Sequence, residues 1–290
     1  MVILKNTYLS IEIREAGAEL FSIKDMDGTE FLMNDKRYWN YTAPHLFPVV
    51  GALYNGELRH KETPYPVKRH GFARNMDFNL LESSESHAVY ELKSSEETLS
   101  MYPFPFSFRV IYKLDGKSVS ISYEVRNTGE EKMAYSVGAH PAFLAPRSTA
   151  DSFTDYYLEF ELFEDLSSIA INPKSGLLQR NRIPMGNNVK VINLTKDLFK
   201  EDALIFHNLK SEYISLKNRK DNKEVRFHMS EFPFLGIWTS LGDAPFICLE
   251  PWAGHADYDD FYGEFLEKED NVLLEPGETR THTYIMDIRF

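Results

Sequence analysis

A chain of 290 residues with 43% hydrophobic content carries enough apolar material for a large core, and all-β units of this length occur as one domain, here taken as 1–290. The net charge of −12 and the lack of any basic stripe argue against nucleic acid and anionic membranes as partners. One cysteine, Cys248, permits neither an intrachain disulfide nor a cysteine-based zinc centre; with no basic-then-apolar start and no apolar run near the ~18 residues that span a bilayer, a soluble cytoplasmic protein is expected.

The chain-order pattern is dominated by a period of two. "LFSIKDMDGTEFLM" (20–33) places Asp27-Gly28 between apolar runs, a hairpin signal because both turn positions favour positive φ. "SSEETLSMYP" (94–103) offers a short helix, with a Ser cap, a Glu three residues on and a Pro stop. "FPFSFRVIYKLDGK" (104–117) alternates Phe104, Phe106, Phe108, Val110, Tyr112 and Leu114, then meets Asp115-Gly116. "SVSISYEVRN" (118–127) answers it with Val119, Ile121, Tyr123 and Val125, so the two runs read as a half-buried hairpin. Further strands are expected at "YYLEFELF", "EYISLKN", "EVRFHM", "FLGIWTS", "FICLE" and "RTHTYIMDIRF", with about two helical turns at "NLTKDLFKEDA" (193–203). Strand–helix alternation and repeats are missing. The pattern predicts an all-β fold, a large antiparallel β-sandwich or barrel.

Three stretches interrupt the strand pattern. In "KRHGFARNMDF" (68–78), His70 precedes Gly71, which lets the backbone turn or approach a ligand, and Arg74 follows. In "GAHPAF" (138–143), His140 lies among small and apolar residues: either a core histidine or an imidazole held against a ligand, with Gly138 and Ala139 leaving room. In "FICLEPWAGHAD" (246–257), Glu250 ends an apolar run and must be exposed, paired or functional. Trp252 beside it is either a stacking platform or core. His255 and Asp257, with His70 and His140, form too loose a pattern for a metal site, so no metal and no cofactor are expected. Phosphate-cradling glycine loops, dinucleotide fingerprints and Gly-x-Ser-x-Gly elbows do not occur.

Taken in order, "PHLFPVVGALYNGEL", "RHGFAR", "GAHPAF", "DALIF", "CLEPWAG" and "LEPGETRTHTYIM" resemble the aldose 1-epimerase (galactose mutarotase-like) family, and its LacX-like bacterial branch in particular. The resemblance covers nearly the whole chain. It implies a large β-sandwich, a sugar bound across a concave sheet, and no cofactor. It assigns His140 as general acid, Glu250 as general base and His70 as a second histidine near the sugar ring oxygen. Asp202 corresponds to a frequent sugar-binding acid. Arg74 and Trp252 are expected to contact substrate. One departure is Ala52, where many relatives carry arginine. The implied reaction interconverts the anomers of an aldohexose. For it, Glu250 is expected ionised and His140 protonated in the resting enzyme, giving a bell-shaped pH profile. Two alternatives stand beside it: a hexose-6-phosphate mutarotase using Arg74 with Lys68 or Arg69 as a clamp, and a non-catalytic carbohydrate-binding protein.

Overall fold

The computed structural model describes all 290 residues. Its larger sheet has nine antiparallel strands in the order 178–193, 156–171, 213–218, 224–228, 279–289, 118–127, 106–115, 87–93, 79–83. At its centre the hairpin expected around Asp115-Gly116 pairs Ser118 with Asp115 and runs to Asn127 opposite Phe106. Gly116 takes φ +57 in the turn, the left-handed region that glycine enters without penalty. Val119, Ile121, Tyr123 and Val125 are buried and their alternating neighbours are not.

A smaller sheet runs 204–207, 234–238, 246–253, 137–139, 45–46, with 142–144 also paired to 246–253. The strand Phe246–Ala253 is buried along its whole length. Period two splits its side chains. Ile247 and Leu249 join the main core with Ile237 and Val137, and with Tyr123 and Tyr284 of the larger sheet. Cys248, Glu250 and Trp252 alternate with them, and Glu250 and Trp252 line a cavity. The two sheets therefore share one core, as the sandwich reading requires.

Several local expectations change. Residues 193–203 form only one 3-10 turn, Lys196–Phe199, in place of two helical turns. After Asp27-Gly28 the pairing shrinks to a single bridge, Lys24 with Glu30. There the Glu30 carboxylate accepts the backbone N–H groups of Ile23 and Leu32, replacing ladder bonds. The helix forms at Glu96–Leu99, but the residue that answers the Ser95 cap is Thr98, not a glutamate: Ser95 Oγ accepts from Thr98 N–H at 3.3 Å and Thr98 Oγ1 from Ser95 N–H at 2.8 Å. No helix is long and apolar enough to cross a membrane.

Candidate active site

A cavity of about 680 Å³ opens over the smaller sheet, and His140, Glu250, His70, Arg74, Asp202 and Trp252 all line it. Residues as far apart in sequence as His70 and Trp252 are brought together because the three interrupting stretches meet at one sheet face. Glu250 comes from the central strand, opposite Gly236. His140 follows the strand Val137–Ala139, in which Gly138 pairs with Trp252. His140 Nε2 lies 3.2 Å from Glu250 Oε2, and the two side chains are only 8% and 2% exposed.

Burial dominates the electrostatics of this pair. It pulls the His140 pKa down to about 3, with the positive charges of Arg74 and Arg69 adding to the effect. It also pushes the Glu250 carboxyl well above the usual carboxylate range; Arg69 opposes that shift and Asp202 adds to it. Both directions run opposite to the ionised resting pair expected from the sequence. A single proton held by the pair is therefore favoured on Glu250.

His70 takes φ +67, a conformation uncommon for a non-glycine residue, and two contacts hold it there. Its N–H donates to Gly51 O at 2.9 Å, and Gly51 N–H donates to its Nδ1 at 3.1 Å. With Nδ1 accepting, the neutral ring carries its proton on Nε2. Gly71 has a different reason from the one read in the sequence. A Cβ there would meet Phe47 O at 2.1 Å, because Phe47 O accepts the N–H groups of Phe72 and Ala73. The glycine admits a backbone, not a ligand.

Gly138 and Ala139 are likewise reassigned. A Cβ on Gly138 would meet Trp252 Cδ1 at 2.6 Å, and one on Gly236 would meet Trp252 Cζ2 at 2.5 Å. The two glycines make a slot for the indole, and Ala139 packs into the main core. Trp252 is thus buried and cavity-lining at once.

Arg74 donates from Nη2 to Arg69 O at 2.8 Å, and its guanidinium lies over the Tyr41 ring at 4.8 Å. Its Nε is buried without a partner. Asp202 lies 3.7 Å from Arg69 Nη2. Two cavity-lining tryptophans were not read as site residues from the sequence. Trp39 and Trp238 place their rings 4.7 Å and 5.6 Å from that of His140. A tryptophan in the polar run "NDKRYWNY" was the available signal for the first; the second resembled an ordinary strand residue.

His255 and Asp257 do not join the histidine pair. His255 Nε2 faces Asp270 at 3.3 Å, and its carbonyl accepts from the buried Lys268. Asp257 Oδ2 accepts from Tyr54 N–H at 2.9 Å. These contacts brace the loop at 254–258. Among potential metal donors, His140, Cys248 and Glu250 lie within 4.8 Å of one another. Burial raises the Cys248 thiol and the Glu250 carboxyl, favouring their protonated forms, and keeps His140 neutral.

The sequence model described as Aldose 1-epimerase matches residues 1–287. The chain is 40% identical over 259 residues to "Protein LacX, plasmid" of Lactococcus lactis subsp. lactis, covering 87% of each. It superposes with TM-score 0.93 on a galactose mutarotase related enzyme from Lactobacillus acidophilus, at 32% identity over 100% of this chain and 97% of that one. The same score relates it to a galactose mutarotase-like protein from Lactobacillus casei ATCC 334, at 30% identity over the whole of both chains. A β-sandwich whose central strand delivers Glu250 to His140, matched along its length by these relatives, belongs to the aldose 1-epimerase family.

Proposed function

We propose that this chain interconverts the α and β anomers of an aldohexose, with His140 as general acid and Glu250 as general base. The observation that carries the reading is the 3.2 Å approach of His140 Nε2 to Glu250 Oε2 on the floor of the cavity. Ring opening needs the C1 hydroxyl to lose a proton while the ring oxygen gains one. Glu250 takes the first and His140 gives the second as the bond between C1 and the ring oxygen breaks. The open aldehyde turns about C1–C2. It closes on its other face as the ring oxygen returns its proton to His140 and Glu250 returns its own to the former carbonyl oxygen. Protons balance over the cycle, and the site resets itself.

These roles need the proton on His140 at the start, whereas burial favours it on Glu250 in the empty site. Hydroxyls of a bound sugar that donate to the Glu250 carboxylate lower its pKa and shift the proton across. The Nε2–H of His70 supplies a donor beside the ring oxygen. Asp202 and Arg74 offer an acceptor and a donor to other hydroxyls, and the Trp252 face supplies an apolar wall.

A second reading, a hexose 6-phosphate substrate, is favoured by Arg69 and Arg74 on one wall of the cavity. Against it, Arg69 already faces Asp202, and Ala52 stands where the family resemblance leads one to expect an arginine in many members. Free hexoses are therefore the first substrates to test. Proton-exchange NMR on free and 6-phosphorylated aldoses tests both readings. Faster exchange of free sugars supports the first, and a much higher kcat/KM for phosphates replaces it with the second.

A further inference from the structure

An imidazole that moves protons is usually oriented by a hydrogen bond at its second ring nitrogen. His140 lacks one from any neighbour: its Nδ1 is buried and no other residue hydrogen-bonds to it. What touches the ring instead is aromatic. Trp39 lies across it at 4.7 Å between centroids and 34° between planes. Trp238 and His70 each approach edge-on at 5.6 Å and 81°. Trp39 belongs to no strand or helix, yet it is braced from several sides. It stacks on Phe246 at 5.9 Å and 21°, meets Trp238 at 5.8 Å, and meets Tyr41, which carries the Arg74 guanidinium, at 5.5 Å.

We infer that Trp39 is the positioning residue of the proton-transferring pair. Its indole face fixes the plane of the His140 ring so that Nε2, and not Nδ1, points at Glu250. A ring free to turn about its Cβ–Cγ bond loses the 3.2 Å approach, and no hydrogen bond from another residue at Nδ1 restores it. The same π face favours the imidazolium that the acid role requires. The inference rests on the proposed acid/base roles of His140 and Glu250.

The test compares Trp39→Leu, which keeps apolar cover and loses the ring, with Trp39→Phe, which keeps a ring. Trp39→Met serves as a second ring-free variant should the leucine protein fail to fold. Two readouts are taken: kcat and KM for anomer conversion, and the imidazole ¹⁵N spectrum of His140, assigned by its loss in His140→Asn. The ring-free variant is expected to lose about tenfold or more in kcat with KM nearly unchanged. Its His140 signals should move toward a mixture of tautomers, and Phe should restore most of both readouts. A loss confined to KM makes Trp39 a sugar platform and overturns the inference, as does an unchanged kcat with an unchanged His140 spectrum. If the wild type converts no aldose, the functional reading fails instead, and the His140 spectrum alone still decides whether Trp39 orients the ring.

Discussion

Gly51 and His70 are joined twice, the amide of Gly51 donating to His70 Nδ1 at 3.1 Å and the amide of His70 donating to Gly51 O at 2.9 Å. The pairing leaves only Nε2–H of His70 to serve a ligand. Asparagine at position 70 keeps an acceptor near Nδ1 for Gly51 but lacks the Nε2–H. His70→Asn should therefore fold and lose less activity than His140→Asn, which removes a proton-transfer group and should slow conversion by about 10² or more. Polarimetry on both variants checks this, and equal losses would give His70 a share in proton transfer.

The slot around Trp252 makes a packing prediction. Gly236→Ala drives a methyl to 2.5–2.7 Å from the indole ring, so either the sheet or the tryptophan must move. We expect a destabilisation of about 1–3 kcal/mol, read by urea denaturation, together with a raised KM from a displaced Trp252 wall. A variant with wild-type stability and KM would show that the slot yields freely.

All three tryptophans of the chain, Trp39, Trp238 and Trp252, line the cavity. Sugar binding should change the intrinsic fluorescence at 295 nm excitation (about the only tryptophan-selective window), since aromatic rings at a binding surface change environment when covered. A titration in which turnover saturates while emission stays constant would place the sugar elsewhere.

Acid stability follows from a histidine outside the site. His45 is buried between Tyr123 and Tyr112, with ring-nitrogen to hydroxyl distances of 2.7 and 2.8 Å, and burial holds its pKa down to about 4 against an ordinary 6.5. Between those values the unfolded chain binds the extra proton. Stability should thus be intact above about pH 6.5 and fall by about 3 kcal/mol as pH drops through 4. Thermal unfolding of His45→Gln from pH 7 to 4 should show a shallower slope than wild type; equal slopes would remove His45 as a source.

The sandwich was legible because alternation in "SVSISYEVRN" reports directly on which face of a strand is buried. The strand Leu178–Asn193 was not, because most of its side chains are exposed and carry no period. In the site, His140, Glu250 and His70 stood out as titratable groups in apolar or turning surroundings. The reasons for the glycines did not, since the neighbours that Gly71 and Gly138 accommodate, Phe47 and Trp252, are distant in sequence. Nor did the protonation of the pair, which depends on a burial that residue types alone do not give.

The pH profile bears on that protonation. With His140 held to about 3 and Glu250 raised, the pair keeps its single proton over a window that opens above pH 3 and extends past the ordinary glutamate value. For the free enzyme, kcat/KM should be level across that range. It should fall toward pH 3 as His140 gains a second proton, and fall at higher pH as Glu250 loses the shared one. The limbs thus exchange the owners that the sequence suggested. An acid limb near the ordinary glutamate value of 4.5 would contradict the assignment.

The most direct measurement of the account is sugar binding and anomer conversion in Glu250→Gln. Glutamine keeps the size and hydrogen-bonding reach of Glu250 but cannot take the C1 hydroxyl proton. Calorimetry should show near-normal sugar affinity, while polarimetry shows conversion slower by about 10² or more. Near-normal turnover, or lost binding with an unchanged rate at saturation, would show that Glu250 only holds the substrate, and would contradict the acid/base pair.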